Sequence, residues 1–286
     1  MSASTQPSEL AGGVAVVTGA GSGLGAAIAR QCAAAGMAVA ALDIDEPRAQ
    51  ATASELAELG IATTAMRVDV GDPASVRDAA DRVEERFGGC DLLFANVGVQ
   101  QFGSIDRLTE DDWSWLIGVN VLGTVRTVTS FLPAMRRRTG WRRIVITSSS
   151  GVFVPAVRLG AYTSSKFAIT GFAETLRLEL ADEGIGVTIV FPGGMSTRHL
   201  ESSALARPES LGASVTMPDD IEAMLSGNVG MANEVVSADE AVRGLMPDLL
   251  AGEPYFMTHG SYRPEYQARL TELDRAFDRM ESRARS

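Results

Sequence analysis

The sequence predicts an α/β protein, a doubly wound parallel sheet in three layers, α/β/α, within a single domain. Three observations predict it: short apolar runs rich in β-formers recur along the chain, stretches of helical length separate them, and a glycine-rich turn follows the first run. The runs are "VAVVT" (14–18), "AVAALDI" (38–44), "TTAMRVDV" (63–70), "DLLFANV" (91–97), "RIVITSS" (143–149), "GVTIVFP" (186–192) and "PYFMTH" (254–259). Most are unbroken rather than alternating, as strands buried on both faces should be. Between them, "EPRAQATASELAELG" runs from an acidic start to a glycine, "DPASVRDAADRVEERFGG" places Asp72 at an N-cap with Pro73 at N1, and "SADEAVRGLMPDLLAGEP" repeats the pattern. Strand, helix and strand at this pitch imply right-handed crossovers.

Two regions stand outside the alternation. Residues 198–234, with scattered Ser, Gly, Pro and Met, are too long for a plain connection and predict a mobile lid or insertion over a site. Residues 264–283, "PEYQARLTELDRAFDRMESR", predict an amphipathic terminal helix that packs on the body or on a subunit partner. The expected organisation is one domain over residues 11–260, lid included, followed by a helical extension over 261–286.

At 286 residues, 45% hydrophobic and 21% charged, the chain can bury a full core. A net charge of −11 argues against nucleic acid or an anionic membrane as the main partner. The five arginines of "RRRTGWRR" (136–143) read as a cationic helix end and a solvated turn. Cys32 and Cys90 fall in apolar segments and make no disulfide framework, the N-terminal residues carry no signal-peptide pattern, and no window approaches a membrane span. A cytoplasmic protein is expected. With His199 and His259 the only histidines and no ligand spacing among Cys, Asp and Glu, neither a catalytic metal nor a histidine base is expected.

"VVTGAGSGLGAAIA" follows the first strand and opens a helix, the context that gives a glycine pattern meaning. Gly19, Gly23 and Gly25 supply a tight turn, free amides at a helix N-terminus and close helix packing, all suited to a pyrophosphate on a Rossmann-like fold. The second strand ends at Asp43, 18 residues beyond Gly25, where a carboxylate holds the adenosine ribose hydroxyls. Such a group repels the extra phosphate of NADP, and neither Ser22 nor Ile44 offers a compensating cation, so NAD is the expected cofactor. Asp45 is a second candidate for the same role.

The chain has 24 arginines and a single lysine, Lys166, four residues after Tyr162. On a helix that spacing puts both on one face. A site that uses lysine where arginine serves everywhere else needs a compact ammonium with rotatable donors. An ammonium beside a cationic nicotinamide would lower the phenol pKa by about three units, on the order of 4 kcal/mol, enough to make it a base near neutrality.

With these residues in order, the sequence resembles the short-chain dehydrogenase/reductase family in its single-domain form. The resemblance rests on "TGAGSGLG" (18–25), "DV" (69–70), "NVG" (96–98), Asn120 in "GVNVLG", Ser149 thirteen residues before Tyr162, "YTSSK" (162–166) and "PGGMST" (192–197), and covers residues 11 to about 260. It implies that Tyr162 is the general acid/base, that Lys166 binds the nicotinamide ribose and tunes the phenol, that Ser149 polarises the substrate oxygen, and that Asn120 helps hold a relay water. Ser148, Ser149 and Ser150 are contiguous, and only the family spacing selects the middle one. The implied cofactor contacts are Gly19, Ser22, Gly23, Leu24, Gly25, Asp43, Asp69, Val70, Asn96, Gly98, Tyr162, Lys166, Pro192, Gly193, Met195 and Thr197. For Asp69 and Asn96, hydrogen bonding at a strand end explains the residue as well as a direct contact does. Valine at 97, where the family has alanine, and the longer C-terminal end depart from its pattern.

The reaction so implied is hydride transfer between NAD and a secondary alcohol or ketone. Val152, Phe153, Val154 and the lid residues Leu200, Leu205, Leu211, Met217, Met224 and Met231 point to a hydrophobic or aromatic substrate, and "DDWSWLIGVNVLG" resembles bacterial dehydrogenases of benzylic alcohols. The alternatives are an NADP-linked ketoacyl reductase, which Asp43 opposes, and a redox-silent NAD sensor, which would not need a tuned phenol. The family implies a homo-oligomer, a tetramer or dimer, formed through the helices that include 109–137 and 160–183.

Overall fold

The computed structural model describes residues 10–214, 216–227 and 235–285. Seven parallel strands form one sheet in the order β3-β2-β1-β4-β5-β6-β7: β1 Val14–Thr18, β2 Ala38–Asp43, β3 Thr63–Arg67, β4 Leu92–Ala95, β5 Arg142–Thr147, β6 Ile185–Phe191 and β7 Tyr255–Met257. All seven lie inside or within one residue of the predicted runs. β3 stops at Arg67, short of the predicted end, because it is an edge strand and the chain turns at Asp69 to start the next helix.

Successive side chains on β1 take opposite sides of the sheet. Val14 and Val16 join a core against α3 (Pro73–Phe87), α5 (Thr124–Arg137) and α6 (Gly160–Glu179), while Ala15 and Val17 join the core under α1 (Gly23–Ala34) and α2 (Glu46–Glu58). Apolar burial on both faces is what the unbroken runs encode. The capping signals in the sequence hold: Asp72 Oδ1 accepts from the Ala74 amide with Pro73 at N1, and Gly88 ends α3 at φ 74°.

α4 (Glu110–Ile117) opens with a Thr109/Asp112 capping box and runs into α5 through a π-helical stretch, Gly118–Gly123, that carries Asn120. A Cβ on Gly123 would fall 2.7 Å from Val70 Cγ2, so glycine lets this helix approach the turn after β3. Contrary to the sequence expectation, the continuous helix Glu110–Arg137 is long and apolar enough to cross a membrane. Here its Asn120, Thr124, Thr127, Phe131 and Met135 are buried within the protein, and it serves as a core helix.

The arginine cluster is the cationic end of α5 followed by an exposed turn, as expected, except at its last residue: Arg136 pairs with Glu183 and Arg137 with Glu84 at the surface, Arg138 pairs with Asp91, and Arg143 is buried, its Nη1 donating to Thr188 Oγ1 at 2.6 Å. The segment expected to be a mobile lid or insertion carries two helices, α7 (His199–Leu205) and α8 (Pro218–Gly227); Met231 lies outside the described residues. Two buried carboxylates pin it. Arg207 reaches Asp112 at 2.7 Å, and Asp220 on α8 receives both Arg107 and Arg158. Asp220→Ala is expected to lower unfolding stability by about 2–3 kcal/mol, because a buried carboxylate that accepts from Arg107 and from the Met217 amide and pairs with Arg158 is lost. Thermal unfolding measures the loss, and an unchanged midpoint would mean the segment is held some other way.

The C-terminal helix Arg263–Ala284 meets the body near its start. Tyr262 is buried, Tyr266 meets Phe153 edge-on at 5.0 Å, and Arg269 Nη1 donates to the Val152 carbonyl at 2.7 Å.

Candidate active site

The strand order reverses between β1 and β4, and there the carboxyl ends of the strands open a crevice. Gly19 (φ 70°) and Gly23 (φ 51°) make the turn that leads from β1 into α1. A Cβ on Gly25 would fall inside the van der Waals envelope of the Gly19 carbonyl oxygen, so this position admits only glycine. Ser22 is the N-cap in extended conformation, and Leu24 is buried in the first turn. Of α1 to α4, only α1 lacks a side-chain cap, which leaves its first amides free for an anionic ligand.

Asp43, at the end of β2, accepts from the Gly21 amide at 2.8 Å and from the Asp45 amide at 3.0 Å. Burial pushes its carboxyl pKa up, against these two bonds. Asp45 is committed elsewhere: it caps α2 and pairs with Arg48 at 2.8 Å. Arg48 is a cation that the motifs do not reveal; a Cβ on Gly21 would lie 2.8 Å from both Arg48 Cβ and Asp43 Oδ2, which places the guanidinium-bearing residue at this corner. Two carboxylates against this one guanidinium leave the corner net negative. Across the crevice, Thr197 Cβ lies 3.4 Å from where a Cβ on Gly23 would be, which brings the turn after β6 over the glycine loop. That turn is held by Pro192, whose carbonyl accepts from Ser150, by the Gly193 amide donating to Thr258 Oγ1 at 2.9 Å, and by His259 Nε2 2.7 Å from the Gly194 carbonyl. Met195 forms a bridge with Val236, and the Thr197 amide donates back to the Met195 carbonyl.

Asn96 is a structural stitch between strand ends: its Nδ2 donates to the Thr18 carbonyl at 3.1 Å and its Oδ1 accepts from Thr147 Oγ1 at 3.0 Å. Asp69 is likewise held in its own turn, accepting from the Gly71 amide, and Val70 is buried against Gly123. These bonds are the strand-end alternative for Asp69 and Asn96.

Lys166, Asn120 and Gly98 converge. A Cβ on Gly98 would meet Lys166 Nζ at 3.0 Å and Asn120 Oδ1 at 3.5 Å, so the glycine of "NVG" leaves the ammonium its room. Asn120 is fully buried, accepts from the Val99 amide at 2.7 Å, and donates to the Val99 carbonyl and to Ser165 Oγ, both at 2.9 Å. Lys166 Nζ donates to the Thr147 carbonyl at 3.0 Å and keeps two further donors. Geometry selects among the three serines. Ser148 Oγ is 2.7 Å from Thr170 Oγ1 on α6, and the Ser150 amide bonds Pro192; Ser149, whose Oγ accepts from the Gly151 amide at 3.1 Å, is the one whose side chain acts on the Tyr162 phenol.

The expected lowering of the phenol pKa involves the cationic nicotinamide as well as the ammonium, and the protein's own electrostatics run the other way. Desolvation pushes the Tyr162 phenol pKa up, with the Ser149 bond opposing and the Tyr262 hydroxyl reinforcing it. Burial also pulls the Lys166 ammonium down to about 8. The lysine stands 5.6 Å from the centre of the phenol ring. The protein by itself therefore does not acidify the phenol.

The apolar wall beside Tyr162 is made of Phe102, Leu159 and Met224, flanked by Ala156 and Ile221. Of the expected substrate contacts, Met224 belongs to it; Val152 and Phe153 pack into the main core, Leu211 packs near Trp115, and Leu200, Leu205 and Met217 are exposed. The site also holds His199, which the sequence motifs do not single out; its ring meets that of Tyr162 edge-on at 6.4 Å between centroids. Its only legible signal is its place just after "PGGMST".

The short chain dehydrogenase family model matches residues 13–207. C alpha-dehydrogenase of Sphingobium sp. is 34% identical over 202 residues, 70% of this chain but just under two thirds (66%) of that protein. An uncharacterized NAD-dependent oxidoreductase of Mycobacterium tuberculosis is 34% identical over 215 residues, 71% of this chain and 78% of its own length. The crystal structure of a short chain dehydrogenase/reductase from Burkholderia phymatum in complex with NAD superposes with a TM-score of 0.86 at 29% identity, covering 93% of this chain and 95% of that one.

Proposed function

The chain belongs to the short chain dehydrogenase family, and from that starting point we propose that it transfers hydride between NAD and a hydrophobic or aromatic secondary alcohol or ketone. The observation that carries this reading is the convergence of Ser149, Tyr162 and Lys166 beside Gly98, at the mouth of the glycine crevice. When bound, the nicotinamide accepts or supplies the hydride. The chain's part is to bind, orient and move one proton. Ser149 Oγ holds the substrate oxygen while Tyr162 Oη gives a proton to a carbonyl or takes one from a carbinol. The two spare donors of Lys166 hold ribose hydroxyls, and the free amides of α1 hold the pyrophosphate. Asn120 fixes the Val99 backbone beside the ammonium. Oxidation needs phenolate, so with the phenol pKa raised in the protein alone, the oxidation rate should climb with pH.

The wall of Phe102, Leu159, Met224 and Ile221 supports an apolar substrate. Absorbance of reduced nicotinamide in a screen of secondary alcohols with NAD tests the reading, and no turnover of any of them would refute it. The net negative corner at Asp43 supports NAD over NADP. Asp43→Ser is expected to shift the NADP/NAD ratio of kcat/KM by ~10-fold or more toward NADP, because a repelling carboxylate is removed while Arg48 remains. A ratio that does not move would remove Asp43 from cofactor choice. The catalytic unit in this reading is residues 11–260, with the terminal helix as its extension. Exposed Phe167 and Leu178 on α6 and Leu122 beside α5 support association through those helices. Free, buried Cys32 and Cys90 suit a reducing cytoplasmic setting.

A further inference from the structure

The two histidines of the chain are used differently. His259 spends both ring nitrogens on the protein, at Thr258 Oγ1 (2.5 Å) and the Gly194 carbonyl (2.7 Å). His199 bonds through its backbone alone: its amide donates to Thr197 Oγ1, its carbonyl accepts from Ser202 and Ser203, and neither ring nitrogen has a partner among the described residues. The residue is only part-buried, and its ring nitrogens remain available to a ligand. The imidazole lies edge-on to the phenol proposed to move the proton, at the start of the helix that covers the site.

We propose that His199 is a specificity residue that hydrogen-bonds a second, uncharged oxygen of the substrate, carried one or two bonds from the carbinol carbon. The preferred substrates are then vicinal diols, hydroxy ketones or their close ethers on an apolar body, rather than simple alcohols. The inference rests on the secondary alcohol reading above. One further observation supports it. Desolvation and the positive charge of Lys166 pull the imidazole pKa down to about 4, so at neutral pH the ring offers one donor and one acceptor and no charge. A polar oxygen set in an otherwise apolar pocket would go unpaired without such a partner, and that penalty gives sites of this kind their discrimination.

The test compares 1-phenylethanol with 1-phenylethane-1,2-diol, with NAD and the full-length chain, in wild type, His199→Phe and His199→Gln. Wild type is expected to favour the diol by ~10-fold or more in kcat/KM. In His199→Phe, which keeps an aromatic ring against Tyr162, the diol should lose ~10-fold more than the simple alcohol, mainly in KM, and the preference should vanish. His199→Gln should restore part of it. NAD binding and thermal unfolding of each variant identify any that fail to fold, and His199→Gln then carries the comparison. A diol preference unaltered in His199→Phe, equal losses on both substrates, or a wild type without preference would each overturn the proposal. A wild type that oxidises neither compound, nor any alcohol of the wider screen, would instead bring down the secondary alcohol reading, and this inference with it.

Discussion

Tyr162→Phe is expected to lower kcat by about 10³-fold while NAD binding changes by less than ~3-fold. The variant removes a single oxygen. Its ring can still pack against Phe102, Leu159, Met224 and Ile221, and the cofactor crevice is built from other residues: the glycine loop, Asp43, Lys166 and the turn at 192–197. What is lost is the hydroxyl beside Ser149 that would give and take the proton at the substrate oxygen. Stability should fall by no more than about 1 kcal/mol, the usual worth of one hydroxyl bond. Steady-state rates on the best alcohol of the screen, with calorimetric NAD titration, check both halves. Turnover within a few-fold of wild type would remove the phenol from the chemistry.

Lys166→Met should separate function from stability. Activity is expected to drop by at least ~10²-fold and NAD affinity to weaken, since the ammonium that would hold the ribose is gone. Stability, however, should rise. A lysine whose pKa falls from 10.5 to about 8 on folding is charged in a desolvated site at neutral pH, a penalty on the order of 3 kcal/mol. Leaving the Thr147 carbonyl without its donor costs about 1 kcal/mol, so the net gain is about 2 kcal/mol near pH 7. The sign with pH follows from the depressed value. The penalty is fully present below about pH 8, is relieved as pH rises toward 10.5, and is absent above it, so the advantage of the variant should be largest at pH 7 and close over that window. Denaturant unfolding of both proteins from pH 7 to 10 measures the gap. A less stable variant at pH 7 would mean that burying the ammonium costs little here.

Such a trade is typical of a residue kept for chemistry at the expense of the fold. It also explains why this lysine stands out in the sequence itself. Nothing about folding favours a buried ammonium on this face of α6, and a chain that uses arginine at every other cationic position departs from its habit only where a compact, multi-donor cation has work to do. The glycine turn is legible for a similar reason. Its spacing is a backbone requirement: a side chain at Gly25 cannot coexist with the Gly19 carbonyl, and one at Gly98 would crowd the lysine ammonium.

Other features mislead in the sequence because their meaning lies outside the segment that carries them. Residues 198–234 read as a mobile lid or insertion, and only the fold shows that Arg207 and Asp220 tie the described part of it to Asp112 and to Arg107 and Arg158 on distant elements. Arg143 sits in a run of arginines that suggests solvation, but it points inward toward Thr188. Arg48 neighbours the ribose corner without belonging to either motif, because α2 brings it there.

The doubly wound fold, the glycine crevice and the pairing of Tyr162 with Lys166 are all written in the chain, because strand burial, turn stereochemistry and four-residue helical spacing are local patterns that it carries wherever it folds. Which of three serines meets the phenol, which side chains wall the substrate space, where His199 lies, and in which direction burial moves the pKa of Tyr162 are matters of tertiary packing. Each of these depends on contacts between elements far apart in the chain and on how much water the packed elements exclude, quantities that come into being only on folding.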